Sequence, residues 1–489
     1  TGGVGHVSFW KLRGKWLAPR PGVLGSAGKV PETMLCGTEV GRAVVSGSIT
    51  GHLFVWSGRR LEKAIRAHES RVNACAATAG GLLTGSADGF VKLWSRQLEH
   101  RSSYDLQEAQ TAPVRVEVKS VAAGLDVEGK EISKILVGTA GSEIYEISRE
   151  SGYLMLLQEG HCQGEVWGVC THPTDPDQFC TVGDDATIRI WSIGLKRLLR
   201  KTVIDSTARC VAWSPDGKYL LVGLGGHVSG ARQKKDGAFM VLDALTLDVL
   251  FEGRDSRHWA RDVKWSPDGA LFGVASMDQK LYLYDARSYV LKAKCEKHNS
   301  YISFFDFSHD SYYVQSDSAD FEHLYHYTTD GAHTNLTSQL KNVDWASYTC
   351  TYGWPVQGCW PSFSGGAEGG GAPSEVTACH RAPRGRRLLA AADEAGELRV
   401  YRYPCTDKKA EFARESCHSS HVASARFTSD DSHIVTIGKH DRAVVVWAVD
   451  QTEPFEDASP SLTGSPAKRS SAIGQPPGAS ADAGAPERK

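Results

Sequence analysis

Residues 68–94 read HESRVNACAATAGGLLTGSADGFVKLW. His68 opens the stretch, an apolar run follows, Gly80 and Gly81 interrupt it, a second run reaches Asp88 and Gly89, and a third ends at Trp94. Glycine and aspartate accept the backbone conformations that reverse a chain, so the short apolar runs between them read as antiparallel strands. Folding those strands back on one another brings His68 to Asp88, 20 residues away in sequence.

The same order recurs along the chain. Ten short β-branched or aromatic runs carry it: His6–Trp10, Leu53–Trp56, Val91–Trp94, Glu143–Ile147, Ile188–Trp191, Phe239–Asp243, Leu281–Asp285, Leu324–Tyr327, Leu398–Tyr403 and Val444–Trp447. A period of about 40 to 50 residues with one turn-bounded run per repeat is the signature of a β-propeller array. Two copies show the turn between the first and second strands openly, VAWSPDG at Val211–Gly217 and VKWSPDG at Val263–Gly269. Proline presets φ in such a turn and glycine closes it. FSHDS at Phe307–Ser311 and FTSDD at Phe427–Asp431 are looser versions.

Composition narrows the functional classes. The 489 residues hold 55 basic and 57 acidic side chains, so a nucleic-acid partner, which needs a concentrated positive surface, is not expected. No run of 18 apolar residues suggests a membrane span, and no secretory leader is evident. The chain starts at Thr1 in what reads as the middle of a blade, so a piece of a longer protein is expected. Twelve cysteines include no CxxC pair, which favours buried, reduced thiols. Cys350 and Cys359 are nine apart, and Cys417, His418 and His421 form the single Cys/His cluster, without the second ligand pair that structural zinc requires.

A His upstream of the turn Asp appears four times: His68 with Asp88 and Trp94, His161 with Asp185 and Trp191, His298 with Asp320, and His421 with Asp441 and Trp447. These sets resemble the hydrogen-bonded His, Asp and Trp of the WD40 family. A pair repeated blade after blade is scaffold, because a catalytic dyad occurs once per site. The fold class expected is therefore an all-β WD40 β-propeller. Counting from Glu143 gives seven runs, one complete seven-bladed ring. The boundaries expected are 1–98 for the last blades of a truncated first propeller, 99–450 for the complete ring, and 451–489 for a disordered tail rich in Pro, Ser, Ala and Gly.

Several stretches lie outside the generic repeat: VDWASYTCTYGWPVQGCWP at Val343–Pro361, VYRYPC at Val400–Cys405, HSSHV at His418–Val422, HNSYI at His298–Ile302 and VWGVCT at Val166–Thr171. With them the chain resembles the echinoderm microtubule-associated protein-like family, over residues 1 to about 450, as the end of a first propeller and a complete second one. The resemblance implies a rigid tandem-propeller unit that associates with tubulin. It further implies a non-enzymatic cytoskeletal scaffold in the cytoplasm, with cilia as one setting. The family's hydrophobic motif and its N-terminal coiled coil with a basic segment do not appear in this sequence. A general WD40 adaptor of a non-cytoskeletal complex is the alternative.

Catalytic and cofactor motifs are missing from the sequence. Gly223, Gly225 and Gly226 belong to no GxGxxG or GxxxxGK[ST], and neither GxSxG nor HExxH occurs, so no cofactor is expected. Asp184 and Asp185 are adjacent, one read as the blade-turn Asp and the other as solvated. Partner contact falls instead on interruptions of the repeat. GLGGHVSGARQKKDG, residues 223–237, is an insertion whose Arg232, Lys234 and Lys235 are placed to attract an acidic surface, or else form a plain solvated loop. RAPRGRR, with Arg381, Arg384, Arg386 and Arg387, reads more readily as a turn. Trp354 and Trp360 are either packing for an irregular blade or interface anchors. The Gly-rich Pro361–Glu375 segment is expected to be a flexible loop, and Ser459 and Ser465 in the tail lie near prolines.

Overall fold

A computed structural model describes residues 1–24, 32–125, 128, 130–228, 231–232, 235–341, 343–360, 375–416 and 418–450. Nearly all regular structure in them is antiparallel strand; the helical pieces are short, such as Thr337–Leu340 and the 3-10 turns of Trp354–Cys359. A small sheet spans 2–21, and four-stranded sheets follow at 34–66, 72–105, 118–159, 166–203, 208–254, 260–295, 302–334 and 376–416. A sheet of 422–448 has three strands. Nine of the ten runs read from sequence lie wholly in strands, and Leu398–Tyr403 passes the end of its strand, at Arg402, by one residue.

Side-chain alternation builds these sheets. In Glu143–Ser148 every second residue is buried, with Tyr145 and Ile147 fully enclosed. Burying a Val, Leu or Ile side chain contributes about 1.5–3 kcal/mol, and Ile188, Ile190, Val222 and Leu224 join one such cluster between adjacent sheets. The turns repeat one hydrogen-bond scheme on different residues. Ser214 donates to Asp216 at 2.7 Å, Ser266 to Asp268 at 2.6 Å, Ser308 to Asp310 at 2.5 Å and Thr428 to Asp430 at 2.7 Å. The next residue takes positive φ in each case, whether Gly217 (73°), Gly269 (68°), Ser311 (60°) or Asp431 (61°).

Packing between sheets defines a ring. The first strand of each sheet is innermost: Val166–Thr171 packs on Ala208–Trp213, that strand on Ala260–Trp265, and that on Ile302–Phe307. Val376–Arg381 packs on Val422–Phe427, which packs back on Val166–Thr171 and closes the circle. Thr171 Oγ1 donates to the Phe427 carbonyl at 2.8 Å across this closure, and Arg442 to the Cys162 carbonyl at 2.6 Å.

Between Ile302–Phe307 and Val376–Arg381 an irregular segment takes the place of an innermost strand. The Ala346 N–H donates to the Phe307 carbonyl at 2.9 Å on one side, and the Arg381 N–H to the Tyr348 carbonyl at 3.2 Å on the other. Trp345, Tyr348, Val356 and Cys359 bury their side chains against Val376, Leu389 and Tyr401. Six sheets and this wedge make seven sectors. The sheet containing Glu143 packs by its first strand on the 72–105 sheet, which in turn packs on 34–66.

Two His sets form as expected. His68 meets Asp88 at 3.2 Å and Thr84 at 2.8 Å, with Trp94 donating to the same Thr84 hydroxyl at 2.9 Å. His161 meets Asp185 at 2.9 Å and Thr181 at 2.8 Å, and Trp191 donates to Thr181 at 2.8 Å. The other two differ. In the last sheet His418, rather than His421, meets Asp441 at 3.3 Å and Thr436 at 2.8 Å; Trp447 donates to Thr436 at 2.9 Å. His421 faces His440 at 3.2 Å. The buried hydroxyl selects the histidine, and only His418 reaches it. His298 bonds Ser316 at 2.7 Å and lies 3.5 Å from Glu322, while Asp320 accepts from Ser318 instead.

Candidate partner-binding site at the ring axis

Each innermost strand of the ring carries a β-bulge at its second residue. Val166 pairs with Gly183 and Gly168 with Val182, leaving Trp167 without a cross-strand partner. The same slip leaves out Arg209, Arg261, Ser303, Thr377 and Ala423. A bulge turns one side chain out of the alternation and re-aims it. Most of these residues face the axis, where a cavity of about 340 Å3 is lined by Trp167, Arg209, Arg261, Phe304, Thr377, Ala423, Arg426 and Lys439, with Trp259 and Met277 from neighbouring loops.

In three consecutive sheets the bulge residue is large or cationic. Trp167 packs edge-to-face on Trp259, ring centres 5.8 Å apart. The Arg209 guanidinium lies 4.2 Å from the Trp167 ring centre and 5.1 Å from that of Trp259. Lys439 sits 4.4 Å and Arg261 5.7 Å from the Trp167 ring. Cations over an indole face gain about 0.5–1 kcal/mol, and more when desolvated.

Arg209 and Asp184 form a buried ion pair at 3.0 Å, so Asp184 is enclosed and paired where a solvated carboxylate was expected. Burial dominates both groups: it raises Asp184 and lowers Arg209 from their ordinary values, against the attraction each exerts on the other. Arg209 Nε donates to the Gly225 carbonyl at 2.8 Å, as does Thr207 Oγ1. Gly225, near the start of the 223–237 insertion, is thereby tied to a residue that lines the axial cavity. Gly225 and Gly226 have φ of 107° and 114°, and a Cβ on Gly226 would fall 2.2 Å from Arg209 Nε.

Of the expected contact residues, Lys235 is held at the base of the insertion by Asp205 at 2.9 Å and Glu252 at 2.6 Å. The side chain of Arg232 and all of Lys234 lie outside the described residues, as do Cys417, residues 361–374 and the tail with Ser459 and Ser465. Trp354 is 39% exposed, with Lys341 4.5 Å from its ring. Trp360 is half-buried, stacked on Tyr352 at 5.3 Å and donating to the Thr351 carbonyl at 2.6 Å. In the RAPRGRR loop, Asp431 accepts the Arg384 N–H at 3.1 Å, and Arg381 meets Asp344 at 3.2 Å.

Asp317, His323 and Cys350 bring three ligand-type atoms within 4.8 Å of one another. A structural zinc site needs four ligands and a thiolate. Here Asp317 receives the Tyr352 N–H at 2.9 Å and meets His323 at 2.5 Å, while burial holds the Cys350 thiol well above its ordinary value. The set braces the wedge. The eleven described cysteines are unpaired thiols, all buried or half-buried.

The axial residues escaped the sequence reading because Trp167, Arg209 and Arg261 sit in different local contexts, VWGVC, ARCVAW and ARDVKW. Aligning the repeats on their first strands puts all three at the same position, second in the strand, which is the signal that would have exposed them.

Comparison with known proteins agrees with this architecture. Residues 166–449 match the family described as "Echinoderm microtubule-associated protein second beta-propeller", and 59–95 match the WD domain, G-beta repeat. The chain is 33% identical over 460 residues to Echinoderm microtubule-associated protein-like 2 of Homo sapiens, covering 92% of this chain and 66% of that protein. It is 30% identical over 498 residues to Echinoderm microtubule-associated protein-like 4 of Mus musculus, covering 96% of this chain and 47% of that one. It thus spans about half to two thirds of the length of these relatives. With a family match running the length of the closed ring and relatives aligned across nine-tenths of the chain, this WD40 propeller protein belongs to the echinoderm microtubule-associated protein family.

Proposed function

We propose that the chain is a non-enzymatic scaffold that binds tubulin or microtubules and is located on the cytoskeleton, ciliary microtubules included. The observation that carries this reading is family membership: both relatives named above are called microtubule-associated. The histidines and aspartates that would otherwise suggest chemistry recur with Thr and Trp in three separate sheets, as scaffold does.

The domain division we favour follows the packing. Residues 166–449 form the closed ring, and the sheets of 34–159 are the last blades of a preceding propeller, so the boundary lies at 160–165 rather than near residue 98. Trp354, exposed on the wedge, and the cations of the 223–237 insertion are the contacts proposed on the ring surface. Within the insertion, Arg232 and Lys234 are the ones to test, because Lys235 is already paired.

Co-sedimentation with microtubules at low and moderate salt tests the function. Binding that weakens with salt, and weakens further in an Arg232→Ala, Lys234→Ala double variant, supports it. No pelleting at low salt by a folded chain would count against it.

A further inference from the structure

The ring axis offers a charge arrangement that the scaffold does not use. Among the described residues neither Arg261 nor Arg426 has a carboxylate within salt-bridge distance, although both are half-buried and line the axial cavity. Of the other charges there, Arg209 pairs with Asp184, Lys439 lies 3.7 Å from Glu165 and Asp262 pairs with Lys264, while the exposed Glu394 is a lining carboxylate with no cation within salt-bridge distance among the described residues. Ser424 Oγ, buried in the same wall, finds no hydrogen-bond partner. A guanidinium withdrawn from water without a counter-charge costs free energy, and an anion entering the cavity relieves that cost.

We propose that this cavity is a binding site for an acidic peptide segment, with Arg261 and Arg426 receiving its carboxylates and the Trp167–Trp259 pair supporting its aliphatic stems. The position of the site follows from the bulges. Trp167 and Arg261 are aimed at the axis because each is the residue their strands leave unpaired. Arg209, fixed by Gly225 and Asp184, holds the indoles in place from behind. A pit of about 340 Å3 admits one or two side chains of an extended peptide. It lacks the long cationic track and row of stacking platforms that single-stranded nucleic acid requires. The inference goes beyond the microtubule reading, since it rests on this site alone and names a ligand class that any acidic protein segment could supply.

The test is fluorescence anisotropy of a labelled hexaglutamate peptide, titrated with the whole chain at two salt concentrations. Expected is salt-sensitive binding that is weakened about tenfold or more by Arg261→Gln and again by Arg426→Gln. A Lys196→Gln, Arg197→Gln variant on the exposed outer hairpin of the 166–203 sheet is expected to bind like the parent. Thermal midpoints confirm that each variant is folded; if Arg261→Gln is not, Arg426→Gln carries the test. Equal binding of hexaglutamine would overturn the proposal. So would equal binding of hexaglutamate by the folded arginine variants, competition by inorganic phosphate at the peptide's own dissociation constant, or equally tight binding of oligothymidylate.

Discussion

Asp306 Oδ2 accepts the backbone N–H of Cys350 at 3.1 Å, tying the fifth residue of an innermost strand to the wedge 44 residues later. The same carboxylate accepts the Thr349 N–H at 2.8 Å, the Ser347 hydroxyl at 2.6 Å and the Thr349 hydroxyl at 3.0 Å. Burial pushes this group up, but Lys264, the Ser347 hydroxyl and the Thr349 and Cys350 N–H groups outweigh it, and its pKa lies below the ordinary value. One buried aspartate thus supplies the acceptors that a neighbouring strand would have supplied.

Asp306→Ala is expected to destabilise the protein by about 3 kcal/mol or more, since it orphans several buried donors at once. Asp306→Asn keeps one acceptor oxygen and should fall between the parent and the alanine variant. Chemical denaturation followed by tryptophan emission measures both.

His418→Ala should cost about 2 kcal/mol, because it strands the Thr436 hydroxyl and the Asp441 turn inside the last sheet. His421→Ala should change stability by less than about 0.5 kcal/mol, as its contact is with the exposed His440. Equal thermal shifts for the two variants would contradict the assignment of His418 to the buried set.

The 302–334 sheet should be more acid-sensitive than the 208–254 sheet of the same ring. Burial, then the neighbouring His298 and His333, pushes His326 down to about 3, and burial also lowers His298 and His333. These imidazoles are neutral in the fold, while in the unfolded chain they take a proton near about 6.5. The unfolded state therefore binds more protons below that pH. The stability tied to neutral His326 is complete above about 6.5 and is lost progressively as pH falls toward about 3. Hydrogen exchange at pH 7.5 and pH 5 should show protection lost in 302–334 ahead of 208–254, and His326→Phe should reduce the difference.

Gly226→Ala should disturb the axial site without replacing a charged residue. A side chain at φ of 114° is strained, and its Cβ meets the Arg209 guanidinium, so the arginine must leave the indoles. A loss of about 1–2 kcal/mol is expected, with a shift in tryptophan emission and weaker hexaglutamate binding. Unchanged emission would show that Arg209 does not depend on this glycine.

Much of the fold was legible because its determinants are local. The SPDG turns, the His68 and His161 sets and all ten strands follow from residue types at short spacing, and each is present in the structure. His421 was chosen over His418 because spacing in sequence cannot show which imidazole reaches Thr436. The axial site was missed for a related reason. A bulge shifts one residue out of the two-residue alternation, so Arg209 and Arg261 read as ordinary strand positions until the strand register is seen.

The sequence by itself determined that this chain is a WD40 β-propeller, since turn chemistry and strand periodicity act over a few residues; the family resemblance came from stretches outside the repeat such as WPVQGCWP. Tertiary structure decided which pieces share a ring. The Glu143 sheet packs toward 72–105, and the Trp345–Trp360 wedge, which has almost no strand pattern, takes the seventh sector because Asp306 and Asp317 satisfy its backbone. Ring closure also decided where function can concentrate. Trp167, Arg261 and Arg426 come from strands as much as 259 residues apart, and only the circular arrangement of first strands turns them toward one another.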